Sequence, residues 1–333
     1  MTNTGPLSLR LFDPAADFPA AAELISEAHA HDGVDWLPTP EILAHDWSRT
    51  PGFDPATDVL VADSGGVAAG LVTVDWRSRH TKIVHQLELW VRPSARRDGI
   101  GGTLLTWAED HARHTVAAGI GGPMDLPHEI GGWGDADVPG HAQLAASRGY
   151  RVNRYGFEMR RPVDDPIPDV ALPGGLEVRP VRPEDHRTIW DADVEAFRDH
   201  FEASVRTEAD YEQWITSPTI DTSLWQVAWD GNEVAGSVIT SINPEENGKL
   251  GLQIAWLDHI SVRRPWRKRG VASALIASTL HILRERGMEI AALGVDAENP
   301  TGALRVYEAM GFARHKTGIS YRKALDPPSP LGR

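Results

Sequence analysis

Two short stretches of this 333-residue chain combine basic residues, a glycine and the start of an apolar, helix-forming run. They are Arg267-Lys268-Arg269-Gly270-Val271-Ala272 and Arg96-Arg97-Asp98-Gly99-Ile100-Gly101-Gly102. The first amides of a helix have no acceptor within the helix, and the helix dipole adds partial positive charge there. Such a turn suits a phosphate, and small residues let a pyrophosphate approach the main chain. Other glycine loops fit poorly. A dinucleotide fingerprint needs Gly or Ala where Leu104 and Leu275 stand, and a P-loop needs Gly-Lys-Ser/Thr, which is absent.

Further groups able to move protons cluster around the second turn in sequence. Asp258 and His259 precede it on an apolar strand pattern, and either could serve as a base, directly or through water. They could equally be satisfied polar residues at a strand bend. Tyr307 follows it, four residues before Gly311, as a candidate acid or as an ordinary packing residue with Leu304 and Phe312. Metal chemistry finds little support: His128-Glu129 lacks the second histidine of a zincin, and His111 and His114 suggest no third ligand. With no cysteine, disulfides, thiolate sites and a cysteine nucleophile are excluded.

The elements that must position these groups occur twice. LSLRLFDPAADFPAAAELI from Leu7 matches LEVRPVRPEDHRTIWDADV from Leu176, each a strand, a Pro turn and an amphipathic helix. VADSGGVAAG matches VAWDGNEVAG as a glycine-turn hairpin. Gly99 then pairs with Gly270, and Gly149 of SRGY with Gly311 of AMGF. Four blocks in one order, at offsets between 162 and 171 residues, mark a duplication. Pro162 to Gly175, rich in Pro and Asp, reads as a semi-rigid linker. The expected domains are therefore 1–161 and 176–326, joined by 162–175, a length that suits two cores. Each copy is expected to be α/β (α+β), a mixed, mostly antiparallel sheet flanked by helices.

With this strand-turn-helix in place, the Arg-x-x-Gly-x-Gly/Ala turns resemble the pyrophosphate motif of the GNAT superfamily of acyl-CoA-dependent acyltransferases. Val-Asp-Ala-Glu-Asn-Pro and Ala-Leu-Arg-Val-Tyr-Glu-Ala-Met-Gly-Phe, Val295 to Phe312, resemble its second motif. The resemblance spans nearly the whole chain as two tandem GNAT folds. It implies acetyl-CoA as cofactor, its pyrophosphate held by amides from Arg269 to Ala272 and, in the first copy, from Asp98 to Gly102. It implies pairing of the Ile260 and Val262 main chain with the pantetheine arm, and a hydrogen bond from Asn299. Asn299-Pro300 could also be only a turn and helix cap. Direct transfer to a primary amine in a ternary complex follows, with Tyr307 protonating the leaving thiolate. Arg198, His200 and Phe201, at the end of the first helix of the second copy, are candidates for the acceptor pocket.

The copies differ. Ala145 stands where Tyr307 should, and GIGGPMDLPHEIGGWGDADVPG has no clear counterpart in the second copy. The first copy is thus expected to be catalytically degenerate, unless Tyr150 or Tyr155 substitutes. Glu88 lies at the His259 position. Rival readings are a non-catalytic acyl-CoA sensor or scaffold, and a protein lysine or N-terminal acetyltransferase.

A net charge of −14 argues against a nucleic-acid surface and suits an amine acceptor or simple solubility. No stretch approaches the roughly 20 apolar residues of a membrane helix, and the N-terminus shows no secretory pattern. A cytoplasmic monomer or homodimer is expected, and an Arg-over-Lys bias with abundant Ala and Gly suggests a bacterial source.

Overall fold

The computed structural model describes residues 6–299 and 301–326, which divide between two compact units. Unit 1 takes the chain up to Arg154, Thr207–Ser217, and Ile319 onward; unit 2 takes Tyr155–Arg206 and Pro218–Gly318.

The chain runs β1 (Leu7–Leu11), α1 (Phe18–Asp32), α2 (Pro40–Arg49), α3 (Pro55–Asp58), β2 (Val59–Ser64), β3 (Val67–Ser78), β4 (Ile83–Val91) and α4 (Ile100–Ala117). Then come β5 (His128–Asp135), α5 (Pro139–Ser147) and β6 (Arg151–Pro162). The second half repeats the series: β7 (Glu177–Val178), α6 (His186–Phe197), α7 (Glu208–Ile215), β8 (Gln226–Asp230), β9 (Glu233–Ile242), α8 (Pro244–Leu250) and β10 (Ile254–Val262). It closes with α9 (Val271–Glu285), β11 (Ile290–Asp296), α10 (Ala303–Ala309) and β12 (Ala313–Ala324).

The duplication extends to fine geometry. The β2–β3 ladder slips between Ala62 and Asp63, and the β8–β9 ladder at the matching Ala228 and Trp229. A parallel pair falls at the same place in each copy, β4–β5 and β10–β11. The Gly-rich segment without an evident counterpart in the sequence does form one, because β5 takes the place of β11. The turns that follow also match, with Asp137 N–H donating to Asp135 Oδ1 and Glu298 N–H to Asp296 Oδ1. Val138 thereby occupies the place of Asn299.

Strand membership does not follow the repeat. In unit 1 the order is β1-β2-β3-β4-β5-β12, and in unit 2 it is β6-β11-β10-β9-β8-β7. The last strand of the first copy thus completes the sheet of unit 2, paired antiparallel to β11 from Gly156 to Pro162. The last strand of the chain completes the sheet of unit 1, where Leu325 N–H donates to His128 O. Glycines in β5 allow this. A Cβ at Gly131 would lie 1.9 Å from Tyr321 O. Gly131→Ala is expected to destabilise the protein by about 2–3 kcal/mol in denaturant unfolding, because the obstacle is backbone and cannot rotate away. An unchanged midpoint would mean β12 accommodates the methyl.

The core of unit 2 gathers Ala255, Leu257, Leu275, Leu280, Leu293, Tyr307, Met310 and Phe312 between the sheet and α9 and α10. Residues 163–175 contain no helix or strand. They press Val163, Ile167, Val170 and Leu172 onto this core. Buried Arg161 on β6 donates to Met310 O at 2.6 Å, holding the end of α10.

Candidate active site

Both Gly-turns have one construction. After β10 a short 3-10 turn (Arg264–Trp266) leads to Lys268 at φ 61° and Gly270 at φ 87°, and α9 begins. In unit 1, Pro93–Ala95, Arg97 at φ 74° and Gly99 at φ 83° repeat it before α4. Two left-handed residues in four reverse the chain so that the first amides of the helix face outward. Ala274 N–H is the first to find its helical acceptor, Gly270 O, which leaves Val271, Ala272 and Ser273 amides for a ligand.

The leading arginines turn inward. Arg267 donates to Val262 O at 2.9 Å, to Asp199 at 2.5 Å and to Ala196 O at 3.1 Å. Arg96 donates to Val91 O at 3.1 Å and forks onto Asp32 at 2.6 and 2.7 Å. Their guanidinium groups brace the turns against the ends of α6 and α1, so their contribution to an anion site runs through the backbone.

The strands beside the turn diverge. β10 and β11 pair only from Ile254↔Ile290 to Trp256↔Ala292, while β10 continues to Val262. Along that continuation, Ile260 and Val262 pair with Val238 and Gly236 of β9 on one side, and β11 has moved off on the other. The resulting wedge has a free main-chain edge, the feature required for a ligand to add as a strand. At its apex the β10–β9 ladder bulges between Leu257 and His259, and Asp258 has no register partner. The bulge shifts the alternation by one, so Leu257 and Ile260 both pack on the α9 core while His259 and Ser261 face the other way.

Solvent reaches Asp258, yet surrounding protein desolvates its carboxyl and raises its pKa, against the hydrogen bond from Ser241 and the charge of His259. His259 Nδ1 lies 2.9 Å from Asp193 Oδ2, on the buried face of α6. Desolvation opposes a charged ring here, but Asp193, through charge and hydrogen bond, and then Asp258 outweigh it and raise the His259 pKa. The Phe197 ring lies 5.3 Å from His259 and 4.3 Å from His200, so His200 joins the cluster through it. Burial lowers the His200 pKa. Arg198 is exposed at the end of α6, and Phe201 is exposed in the loop beyond.

Tyr307 is buried on α10, its ring 6.4 Å from Phe312, and burial pushes its hydroxyl up to about 12. Asn299 accepts from Thr301 N–H and from the Thr301 hydroxyl through Oδ1, so its carboxamide oxygen caps the turn and its nitrogen is the group left for another role.

Unit 1 departs from this plan at the apex. Its β3–β4 ladder runs unbroken from Gly70↔Val91 to Ser78↔Ile83, with no bulge. Its parallel pairing continues one step further, to Gln86↔Gly131. A Cβ on Gly132 would come within 2.3 Å of Leu87 O, whereas Gly294 in β11 has open space around it. Glu88 is exposed at the matched position, its carboxyl raised to about 7 by desolvation and by the charges of Asp75 and Asp46. Ala145 and Tyr150 are both in the core of unit 1. Their main chains repeat the helix end seen at Tyr307 and Phe312, with Tyr150 N–H bonded to Ala145 O and Phe312 N–H to Tyr307 O, each at 3.0 Å. Burial, and then the charge of Glu109, raise the Tyr150 hydroxyl above its usual range.

Sequence reasoning missed Asp193 and the bulge. Asp193 carried a signal as an acid spaced with Ile189, Trp190 and Ala196 on the apolar face of a helix. The bulge shows in Leu257-Asp258-His259-Ile260, which breaks the alternation that Leu87-Glu88-Leu89-Trp90-Val91 keeps.

A left-handed basic-Gly turn, a split pair of parallel strands and a helix carrying a buried tyrosine define an acyl-CoA-dependent acyltransferase. The Acetyltransferase (GNAT) family model matches residues 20–121 and 187–312, and the chain belongs to that family. It is an N-acetyltransferase, with acetyl-CoA as the acetyl donor. Similar chains include the mycothiol acetyltransferase of Geodermatophilus obscurus, 30% identical over 316 residues, covering 94% of this chain and 96% of that one. That of Salinispora arenicola is 30% identical over 331 residues, covering 97% and 100%. Among solved structures, a GCN5-related N-acetyltransferase from Sphaerobacter thermophilus superposes with a TM-score of 0.71 at 27% identity, covering 98% and 99%. A tandem GNAT protein of the clavulanic acid biosynthesis pathway gives 0.68 at 18% identity, covering 97% and 100%, and shares the fold. Among the described residues no helix is long and apolar enough to cross a membrane.

Proposed function

We propose that the chain acetylates the primary amine of a small molecule, with the chemistry in the second copy, residues 176–326, and the first copy, 1–161, catalytically silent. The observation that carries this reading is the contrast between two copies of one fold. Bulge, His259 paired to an acid and Tyr307 coincide in unit 2; among the described residues of unit 1 each is missing, and the wedge there opens one step later. Shared features such as the turns and arginine braces serve binding and folding; those confined to unit 2 are the ones chemistry requires.

Acetyl-CoA, when bound, supplies an activated acetyl group. The amides from Arg269 to Ala272 hold its phosphates, and the free edge of β10 at Ile260 and Val262 pairs with its arm. The Asn299 carboxamide nitrogen adds a donor. His259 removes the proton from the acceptor ammonium, and Asp258, beside it at the bulge, holds that ammonium by charge. Tyr307, neutral at all working pH values, gives its proton to the leaving sulfur.

Because His259 must be neutral to act, kcat/KM is expected to rise about tenfold per pH unit until its raised pKa is passed and then level off. A flat profile across pH 5–9 would remove His259 from the reaction. The acceptor is tested with the amine substrate of mycothiol acetyltransferases first, then with polyamines and aminoglycosides, following free thiol release. Turnover with none of them, alongside acetylation of a lysine peptide, would move the reading to protein modification.

A further inference from the structure

Asp193 is the only acid among the buried residues of α6, whose other buried members are Ile189, Trp190, Ala192 and Ala196. A carboxylate in such a place is unfavourable unless something compensates it. One of its oxygens, Oδ2, has His259 Nδ1 at 2.9 Å; the other, Oδ1, is buried with no hydrogen-bond partner. The fold therefore tolerates a buried charge with one oxygen unmet, and its return is a single contact with His259.

The first copy offers a comparison within the same chain. The buried residues of α1, Ala21, Ala22, Leu24, Ile25 and Ala28, have the same spacing as those of α6, which places Ile25 where Asp193 stands, and Glu88 stands where His259 does. Both members of the pair are absent there, although the helix, strand and turn around them are retained. The pair is thus unnecessary for folding a GNAT unit, and it occurs in the unit with the bulge and the tyrosine.

We infer that Asp193 is a positioning residue for His259: it accepts the Nδ1 proton, fixes the Nδ1–H tautomer and leaves Nε2 as the nitrogen that takes the proton from the acceptor ammonium. This rests on the reading of His259 as the base. The step balances: an N–H bond of the ammonium breaks, an N–H bond at Nε2 forms, and the imidazolium keeps its Nδ1–H on Asp193 Oδ2. The proton then leaves to solvent. The charged groups that act on His259 are Asp193 from α6, Asp258 from β10 and Arg206 from the loop after α6, and His200 lies on the Phe197 ring that His259 also meets. Asp193 is the one that bonds the ring. Its charge also stabilises the fold below pH of about 6.5, where the ring is protonated in both states, and that contribution fades as pH rises through the raised folded value.

The test is NMR on the full chain with labelled histidines, His259 being assigned from His259→Gln. The wild type should show the Nδ1–H tautomer and a pKa above 6.5. Asp193→Asn, which keeps shape and hydrogen bond but loses charge, should lower that pKa by about one unit and move the acid limb of kcat/KM with it. Asp193→Glu should restore part of the shift, and KM for acetyl-CoA should stay within about twofold in both. An Nε2–H tautomer in the wild type, or an unmoved pKa in Asp193→Asn, overturns the inference. Beyond the assignment variant the tautomer needs no turnover, so a wild type that acetylates no amine would defeat the functional reading while leaving this one decided.

Discussion

Tyr307→Phe is expected to reduce kcat by at least about a hundredfold while acetyl-CoA still binds. The ring is buried against Phe312 in the core of unit 2, and phenylalanine fills the same space, so packing is nearly conserved. What is lost is one hydroxyl that burial keeps protonated, with a pKa of about 12. Because that value lies above any assay pH, the tyrosine adds no basic limb to the wild-type profile. The acid limb from His259 should persist in the variant at reduced height. The measurement is steady-state kinetics with calorimetric binding of acetyl-CoA on the same samples. Activity within twofold of wild type, with binding intact, would leave Tyr307 as a packing residue.

The second large effect concerns the turns. Gly270→Glu is expected to weaken acetyl-CoA binding by more than about a hundredfold, by placing a carboxylate where phosphate should lie and a side chain at φ 87°. Gly270→Ala separates these contributions. No atom lies within 4 Å of the added Cβ, so the penalty is conformational alone, about 1–2 kcal/mol. Gly99→Glu is the matched change in unit 1, where φ is 83° and the space is also open. Calorimetry that loses one site per variant would establish two working cofactor turns. Binding lost only in Gly270→Glu would give unit 1 a supporting role, and full binding in both would dismiss the turns as phosphate sites.

The repeat, both Gly-turns, the helices behind them and the contrast between Tyr307 and Ala145 were legible in the sequence because each is written locally. A left-handed turn announces itself by glycine, and an amphipathic helix by its period. What was not legible depends on partners. Nothing within residues 151–162 states that their strand pairs with β11 rather than β5, since the pattern of a strand specifies faces and not neighbours. The glycines of β5 concealed a strand, because they answer to the carbonyls of Tyr321 and Leu87, residues distant in sequence. The inward turn of the Arg267 guanidinium was not legible either, because its three acceptors lie on β10 and around the end of α6. Asp193 was passed over because its reason for burial lies on another element.

The exchange of β6 and β12 also sets the order in which the molecule can be made. A ribosome delivers β5 long before β12, and at about 5–20 residues per second the wait is on the order of ten seconds or more. Throughout it the edge of β5 that β12 will cover is open, while β6 is already present and waiting for β11. Nascent chains on one messenger share both open edges at close range, and a β12 from one can complete the unit 1 of another. Slow, cool expression should therefore favour monomers, and crowded expression interlocked dimers that no dilution separates quickly. Cutting the gene at its repeat seam deprives each fragment of the strand that finishes it, so the halves should be soluble only when produced together.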